Sequence, residues 1–340
     1  MRIGIIGTGS LGTALATHFY RLGHHVVWWG RDPELVEHIN RSHRNPRHLK
    51  EFILPDSLKA TYDMSELTDT EILISAVPTP YLRNIWSKLK RHIPKPTMVN
   101  TSKGIELDTG LFAHQIFSQV FEDGTFIAMS GPSFAREIME GHPTAVVLAG
   151  EKELVIELIH SWTSPTLRFY ASADITGTEL AGAYKNVLAI AAGAVVGMGM
   201  GRNSWAALIT RGIAELVRLG IPLGADLRTF MGLAGVGDIV LTCSSSESRN
   251  FTLGRLVAEG VPINRAIGKL KGYPEGYLTS KAMLEMAKSL GVETPIVQAV
   301  VDVLFENHSP EDVLKRLTAR PPKEEFWGLP DIRGYFRGSQ

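Results

Sequence analysis

Two lysines stand in parts of the sequence where a lysine is unusual. Lys185 and Asn186 interrupt a helix-like segment made largely of small and apolar residues, and Lys103 directly follows a predicted strand, beside Gly104. Because burying an ammonium group is costly unless a partner compensates it, a lysine inside such a segment is a candidate for acid–base chemistry. The alternatives are that Lys185 reaches the surface from a helix end and that Lys103 is a solvated loop residue.

Groups that could orient a lysine and hold an anion lie further along the chain. Asp238 could orient a lysine, and Arg249 with Asn250 offers a guanidinium fork plus an amide, a pair suited to phosphate. Thr242 and Ser248 lie in the same stretch. The alternative for Arg249 is a surface arginine in a salt bridge.

The glycine-rich segment 7–12 (GTGSLG) is typical of a dinucleotide-binding turn. It matches G-x-G-x-x-G between a short apolar strand and a helix-like pattern, which raises the match above chance. Gly7 permits the tight turn, Gly9 lets the backbone approach a pyrophosphate, and Gly12 lets helix and strand pack closely. Free N–H groups at the helix start face the anion, and the Ser10 hydroxyl could cap them or contact phosphate. A glycine turn that binds nothing is the alternative.

The end of the second predicted strand bears on which dinucleotide binds. An acidic residue there receives the ribose hydroxyls of NAD, whereas an arginine accommodates the 2′-phosphate of NADP. Arg31 precedes Asp32, and the order Asp32-Pro33 favours a helix N-cap at the aspartate. We therefore predict NADPH, read by Arg31, with NADH as the alternative.

These residues need elements that bring distant segments together. Over residues 1–173, short β-type runs alternate with helix-type segments, which predicts an α/β Rossmann-type NAD(P)-binding domain with a mostly parallel sheet. Over residues 174–340, long helix-type segments dominate, which predicts an all-α domain that carries substrate and catalytic residues. The predicted strands cover residues 1–6, 26–29, 71–77, 97–100, 125–129, 144–148 and 167–170, and the predicted helices of the second half cover residues 179–196, 204–219, 227–231, 248–259, 279–290 and 295–306.

Composition limits the classes of partner. Lys plus Arg and Asp plus Glu each number 35, so the net charge is zero and no broad basic surface indicates nucleic acid or an anionic membrane. The single cysteine, Cys243, excludes an internal disulfide and suits a reducing compartment. The apolar N-terminus is too short for a signal peptide, and the least polar run, 187–201, is too short for a membrane span. We therefore expect a cytoplasmic protein.

Nine short segments carry a resemblance to a known family, in family order along the chain. They are residues 7–14 (GTGSLGTA), 102–104 (SKG), 130–135 (SGPSFA), 184–187 (YKNV), 203–215 (NSWAALITRGIAE), 235–238 (GVGD), 241–243 (LTC), 248–250 (SRN) and 275–277 (EGY). Together they resemble the bacterial-type NAD(P)-dependent glycerol-3-phosphate dehydrogenases, far more specifically than the glycine turn does alone. The resemblance extends to about residue 327.

The resemblance implies reversible reduction of dihydroxyacetone phosphate to sn-glycerol 3-phosphate with NADPH or NADH, feeding glycerophospholipid synthesis. It implies Lys185 as the proton donor and acceptor, with Lys103 and Asp238 flanking the reacting carbonyl. This agrees with the chemistry, since hydride transfer to a carbonyl leaves an alkoxide that needs a nearby acid. The expected cofactor contacts are Gly7, Gly9, Ser10, Leu11, Gly12, Arg31, Lys103, Ala135, Arg249 and Glu275. The expected substrate contacts are Lys103, Gly131, Ser133, Lys185, Asn186, Asp238, Thr242, Ser248, Arg249 and Asn250.

Some features depart from the family or leave alternatives open. Leu11 replaces a usual aromatic residue and His48 a frequent tyrosine, so we expect no aromatic stacking at Leu11 and no cofactor contact at His48. We assign no role to residues 329–340 and predict no metal site. The small-residue segment 189–201 could pack against a second subunit in a homodimer, or equally inside one domain. The alternative functions are a related dehydrogenase for another small hydroxy acid, such as ketopantoate, and a non-catalytic dinucleotide sensor.

Overall fold

An eight-stranded sheet forms the first half of the chain. The computed structural model describes residues 1–270, 272–325 and 327–328. The strand order is β3-β2-β1-β4-β5-β6-β7-β8, and every neighbouring pair is parallel except β6 with β7. The strands are β1 (Arg2–Ile6), β2 (His25–Trp29), β3 (Ala60–Thr61), β4 (Ile72–Ser75), β5 (Thr97–Asn100), β6 (Thr125–Ser130), β7 (Thr144–Ala149) and β8 (Leu167–Ser172).

Helices cover both faces of this sheet, as the alternation in the sequence predicted. Successive side chains of a strand point to opposite faces, and in β1 Ile3 and Ile5 join one core while Ile6 joins the other. Trp28 is fully buried in the first core and Trp86 in the second. The helices of this half are α1 (Ser10–Arg21), α2 (Pro33–Ser42), α3 (Leu82–Leu89), α4 (Ala113–Val120), α5 (Ala135–Glu140) and α6 (Lys152–Trp162).

The second half is helical, which confirms the predicted fold class. Its elements pack around one long central helix, α7, whose side chains are buried on nearly every side. The division at residues 173 and 174 stays a prediction, although β8 ends at Ser172 and α7 starts at Ile175. The helices are α7 (Ile175–Gly197), α8 (Arg202–Gly220), α9 (Leu227–Met231), α10 (Asp238–Ser244), α11 (Arg249–Ala258), α12 (Ile263–Lys269), α13 (Glu275–Ser289), α14 (Pro295–Phe305) and α15 (Pro310–Thr318).

The glycines of α7 allow α11 to approach its backbone. A Cβ atom on Gly193 would lie 1.9 Å from the carbonyl oxygen of Phe251, and one on Gly254 would lie 1.8 Å from that of Ile190. Because such distances are far below van der Waals contact, only glycine is compatible with this helix pair. The small residues of segment 189–201 are thus used, at least in part, inside the chain.

Helix α7 is long and apolar enough to cross a membrane when length and composition alone are considered. However, 78% of its most apolar window is buried inside the fold. This is the pattern of a core helix, as the sequence predicted for residues 187–201.

The short elements β3, α10, α12 and α15 were not predicted. Strand β3 has two residues, too few for a periodic pattern, and α12 has seven. Helix α15 does carry a start signal, because the Ser309 hydroxyl accepts a hydrogen bond from the Asp312 amide at 3.1 Å. Helix α7 begins earlier than predicted because Asp174 caps it, accepting from the Gly177 amide at 2.7 Å.

The described part of the C-terminal segment packs on α8. Two cations lie over the Trp327 ring, with the Lys323 ammonium 3.3 Å and the Arg218 guanidinium 5.2 Å from the ring centre. Arg218 also donates to the Trp327 carbonyl at 3.4 Å. Residues 329–340, which received no role, lie outside the described residues.

Candidate active site

Lys103 lies at the carboxyl end of β5, where strand-end residues of a parallel sheet converge. Its Nζ donates to the Gly131 carbonyl at 2.9 Å and to Asp238 Oδ2 at 2.6 Å. The side chain is only 13% exposed, so the solvated-loop alternative for Lys103 is wrong. The bond to Asp238 joins the sheet half to the helical half.

Lys185 approaches the same carboxylate from α7. Its Nζ donates to Asp238 Oδ1 at 2.8 Å and to Thr242 Oγ1 at 2.9 Å, and its side chain is 9% exposed. The alternative that Lys185 reaches the surface is therefore wrong. Thr242 lies one turn after Asp238 on α10, and its hydroxyl donates back to Asp238 Oδ1 at 3.2 Å.

Burial and neighbouring charges shift the pKa values of Lys103 and Asp238. Burial lowers the pKa of Lys103 to about 8, and although Asp238 opposes this shift, the nearby Lys185 adds to it. Burial alone would raise the pKa of Asp238, but the two lysines outweigh it and lower that pKa below its ordinary value. Asp238 is therefore an ionised anchor between two ammonium side chains.

A chain of amide hydrogen bonds fixes the backbone of Lys103. Asn186 Nδ2 donates to the Lys103 carbonyl at 2.8 Å, and Asn186 Oδ1 accepts from Asn250 Nδ2 at 2.9 Å. Asn250 Oδ1 in turn accepts from the Gly276 amide at 3.0 Å. This chain links the loop after β5 to α7, α11 and the start of α13, so both asparagines lie in the site but use part of their capacity within the protein.

A buried carboxylate holds α7 from behind the site. Glu215, on α8, accepts from the Tyr184 hydroxyl at 3.1 Å and from the first amides of α14, Ile296 at 2.9 Å and Val297 at 3.0 Å. Burial raises the pKa of Glu215 to about 7, against the opposing effect of these donors. Since Tyr184 precedes Lys185, this contact helps to fix the rotation of α7.

The glycine turn between β1 and α1 fits a dinucleotide. A Cβ atom on Gly12 would lie 2.1 Å from the Gly7 carbonyl oxygen, and Gly7 has φ +119°, so both positions require glycine. A Cβ atom on Gly9 would meet nothing within 4 Å, which leaves open space at the start of α1. Gly9 is the N-cap and, having no side chain, caps no N–H group itself, so the first N–H groups of α1 face that space.

Ser10 does not cap α1, because Gly9 occupies the cap position and Ser10 is the first helical residue. The Ser10 hydroxyl lies 3.4 Å from His48 Nδ1. Burial lowers the pKa of His48, and the neighbouring Arg249 guanidinium contributes to that shift. His48 is thus beside the glycine turn, and Arg249 reaches toward the turn from the helical half.

At the end of β2 the predicted cap is confirmed. Asp32 Oδ1 accepts from the Leu35 amide at 3.2 Å, and Pro33 is the first residue of α2. Arg31 is exposed beside it, with its guanidinium carbon 5.3 Å from the centre of the Tyr81 ring.

Glu275 and Arg249 come from neighbouring helix starts. Glu275 Oε1 accepts from the Thr79 amide at 3.2 Å, a further bond between the two halves. Burial raises the pKa of Glu275, with Arg249 as the main opposing charge. Arg249 opens α11 and is exposed, and within the described part of the chain it forms no ion pair, so the surface salt bridge is not observed. Gly272 lies against the Arg249 side chain, since a Cβ atom on Gly272 would be 2.6 Å from Arg249 Nη1.

The other expected residues have more local roles. Ser133 donates to the Gly131 carbonyl at 3.0 Å, the same oxygen that receives Lys103. Ser248 caps α11 by accepting from the Phe251 amide at 3.2 Å, so its hydroxyl has a structural partner. Leu11 and Ala135 pack against one core of the sheet half, at the starts of α1 and α5.

Sequence reasoning missed Asn45 and Thr79. Asn45 is 1% exposed and holds the loop after α2 against the glycine turn, with Asn45 Nδ2 donating to the Thr8 carbonyl at 2.9 Å. The signals were Asn45-Pro46, typical of a turn, and Pro78-Thr79-Pro80 at a strand end. Among the described residues, no group of three potential metal ligands comes together.

Both halves match known proteins. Residues 2–155 match the N-terminal model and residues 174–315 the C-terminal model of NAD-dependent glycerol-3-phosphate dehydrogenase. The chain belongs to the NAD-dependent glycerol-3-phosphate dehydrogenase family. Membership confirms the resemblance seen in the sequence and decides against the ketopantoate-type alternative. As a family member the chain is an oxidoreductase that uses NADH or NADPH.

Relatives of this dehydrogenase match it over nearly full length. The NAD(P)+-dependent glycerol-3-phosphate dehydrogenase of Staphylococcus haemolyticus is 40% identical over 330 residues, which cover 95% of this chain and 99% of the relative. That of Nitratidesulfovibrio vulgaris Hildenborough is 42% identical, covering 96% and 100%. The solved glycerol-3-phosphate dehydrogenase of Coxiella burnetii superimposes with a TM-score of 0.90 at 32% identity, covering 94% and 99%.

Proposed function

We propose that this chain catalyses the reversible reduction of dihydroxyacetone phosphate to sn-glycerol 3-phosphate with NADPH or NADH, and that Lys185 exchanges the proton. One observation carries the assignment of residues. Two lysines from opposite halves of the chain share the buried carboxylate of Asp238, at the sheet edge where the dinucleotide turn lies. This arrangement suits a ketone reductase, because the oxygen becomes anionic as the carbon is reduced and needs positive charge and a proton donor nearby.

The residues around the glycine turn would hold the cofactor. The turn N–H groups and Ser10 suit the pyrophosphate, Arg31 suits the adenosine end, and Glu275 lies on the side of the lysines. When bound, the reduced nicotinamide supplies a hydride to the carbonyl carbon of the substrate. The protein's own contribution is to orient the substrate, exclude water and move a proton.

The hydrogen bonds of Lys185 to the described residues leave one of its N–H groups free to deliver the proton. An ammonium group has three N–H bonds, and Asp238 and Thr242 receive two of those of Lys185. The third is left for the substrate oxygen. Lys103 is in the same position, with two N–H bonds given to Asp238 and the Gly131 carbonyl. The two lysines together stabilise the oxyanion, and Lys185 protonates it to the alcohol.

Arg249 and the start of α11 would hold the substrate phosphate. The guanidinium opens this ten-residue helix, where free N–H groups already favour an anion. Asn250 and Asn186 supply further amide N–H groups, and their mutual bond fixes them relative to Lys103. Binding energy from the phosphate then positions a small ketone that has few other handles.

We further infer a cytoplasmic enzyme whose product feeds glycerophospholipid synthesis. The zero net charge supports small-molecule rather than nucleic-acid partners, and the buried Cys243 suits a reducing compartment. The homodimer stays a prediction. The glycines of α7 that suggested it contact α11 of the same chain and so give it no support.

Two single variants test the reaction and the roles. Lys185→Ala removes the proton donor, so turnover falls by about 10²–10⁴-fold while NADPH binding, followed by its fluorescence, is unchanged. Arg249→Ala raises KM for dihydroxyacetone phosphate by about tenfold or more, because a charge-assisted phosphate contact is lost. The rate with unphosphorylated dihydroxyacetone is much less affected.

The exposed Lys288→Ala serves as the control, since Lys288 pairs with Glu285 on the surface of α13. Unchanged turnover in Lys185→Ala would remove Lys185 from the mechanism. Absence of NAD(P)H oxidation by the unmodified chain with dihydroxyacetone phosphate would overturn the reaction itself and favour a dinucleotide sensor.

A further inference from the structure

Asp32 and Arg47 form an ion pair at the end of β2, beside the glycine turn, and Arg31 precedes Asp32 in the chain. The Gly7 amide donates to the Trp29 carbonyl at 2.9 Å and the Gly30 amide to the Thr61 carbonyl at 2.8 Å, which fixes the backbone on both sides. Arg31 and Asp32 follow at once. In doubly wound sheets this position lies next to the adenosine ribose of a bound dinucleotide.

Each oxygen of the Asp32 carboxylate already accepts a hydrogen bond from the protein. One oxygen accepts from the Leu35 amide at 3.2 Å and the other accepts from Arg47 Nη1. The Leu35 hydrogen bond and Arg47 both lower the pKa of Asp32, so the group is ionised at neutral pH. An aspartate that binds the ribose of NAD must accept from a hydroxyl, and here protein donors already engage both oxygens.

Arg47 is held in place by a buried asparagine. Asn45 Oδ1 accepts from the amides of Arg47 at 3.2 Å and His48 at 3.1 Å. Asn45 Nδ2 donates to the Thr8 carbonyl and to Thr13 Oγ1, each at 2.9 Å. The loop that carries Arg47 is therefore fastened to the glycine turn, and from this fixed backbone the Arg47 side chain, 55% exposed, reaches Asp32.

We propose that Arg47 sets the choice between NADPH and NADH. It engages the Asp32 carboxylate that would otherwise bind the ribose 2′-hydroxyl, and with Arg31 it brings a second guanidinium to the place of the 2′-phosphate. The two arginines and Asp32 leave one net positive charge there, whereas Asp32 alone would repel a phosphate. The inference rests on the proposed NAD(P)-dependent function and deepens it, because the residue that discriminates NADPH from NADH then lies in a loop outside the β2–α2 turn.

Fragment binding tests the proposal without the reaction. Calorimetry on the full chain compares adenosine 2′,5′-bisphosphate with adenosine 5′-monophosphate. The unmodified chain binds the bisphosphate more tightly. Arg47→Ala loses about tenfold or more in bisphosphate affinity, because one charge-assisted contact disappears and Asp32 is released, while monophosphate affinity changes by less than about twofold.

A double variant tests the role of Asp32. Asp32→Asn with Arg47→Ala keeps the helix cap, since asparagine caps as well as aspartate, but removes the released charge. It therefore regains part of the bisphosphate affinity lost in Arg47→Ala. Arg41→Ala, which removes one positive charge from the last turn of α2, is the matched control and leaves the preference for the bisphosphate unchanged.

Three results would overturn the proposal. They are no preference for the bisphosphate in the unmodified chain, an unchanged preference in Arg47→Ala, and an equal loss of affinity for both fragments in Arg47→Ala. The last result would give Arg47 a purely structural role. A double variant that binds the bisphosphate no better than Arg47→Ala would overturn the part assigned to Asp32. None of these results depends on triose phosphate reduction, so this proposal and the proposed function fail separately.

Discussion

Replacing Asp238 with asparagine removes the one negative charge between the two lysines of the site. The Asp238 side chain is 1% exposed and accepts from Lys103 at 2.6 Å and from Lys185 at 2.8 Å. Asparagine keeps the shape but leaves two ammonium groups facing each other in a buried place. Breaking a buried pair by removing one partner costs about 3–5 kcal/mol, so we expect a loss of that size in unfolding free energy near neutral pH.

The pH dependence of this loss identifies its cause. The pKa of Lys103 is lowered to about 8 in the folded chain from an ordinary value of 10.5, and losing Asp238 lowers it further. A lysine with a lowered folded pKa gains stability as pH rises from the folded to the unfolded value. In the variant this recovery begins at lower pH, so its deficit shrinks as pH is raised up to about 8, above which both chains gain stability in parallel. The stabilisation from Asp238, whose folded pKa is lowered, is lost only in acid.

Urea denaturation at about pH 6, 7.5 and 9 measures the effect. Glu285→Gln is the control, because it breaks the exposed pair with Lys288 and is expected to cost less than about 1 kcal/mol at every pH. Turnover of Asp238→Asn falls as well, since Lys185 loses the acceptor that orients it. A variant as stable as the unmodified chain at neutral pH, or a deficit that grows with pH, would refute the reasoning.

Two further predictions concern the glycine turn and the support behind α7. Gly12→Ala forces its new Cβ against the Gly7 carbonyl and lowers Tm, whereas Gly9→Ala keeps Tm but abolishes NADPH binding, because its Cβ enters the open space at the start of α1. Equal Tm values for the two variants in a thermal melt would contradict this. Glu215 has a folded pKa of about 7 against an ordinary 4.5, so its contribution to stability is full below about pH 4.5 and is lost as pH rises through 7. Glu215→Gln removes this pH-dependent part, about 3 kcal/mol, and an unchanged difference in unfolding free energy between pH 5 and pH 8 would contradict the assignment.

The candidate catalytic residues could be predicted where a charged side chain stands in a sequence context that disfavours it. Lys185 stood out because it interrupts an apolar segment, and Lys103 because it follows a strand beside glycine. The structure brings both to Asp238, as the resemblance implied. Burial of a charge is visible in sequence when the neighbours along the same helix are apolar.

Other features depend on contacts between distant segments, which leave no local pattern. Nothing near Glu275 indicates that its carboxylate receives the Thr79 amide, 196 positions away. Asn45 resembles an ordinary turn residue until its four hydrogen bonds are counted. Ser10 was misplaced by one position because Gly9, without a side chain, can still occupy an N-cap.

The reversed direction of β7 has a geometric consequence for catalysis. Because β7 runs antiparallel to β6 and β8 runs parallel to β7, the chain leaves β8 at the edge of the sheet opposite the lysines. Helix α7 must run back across the sheet, and Lys185 lies about ten residues, or about 15 Å, along it. The number of residues between the start of α7 and Lys185 therefore sets where the ammonium group lies. One residue added between Asp174 and Tyr184 would turn Lys185 by about 100° and advance it by about 1.5 Å, away from Asp238. The spacing between the helix start and the lysine is thus as much a part of the active site as the lysine itself.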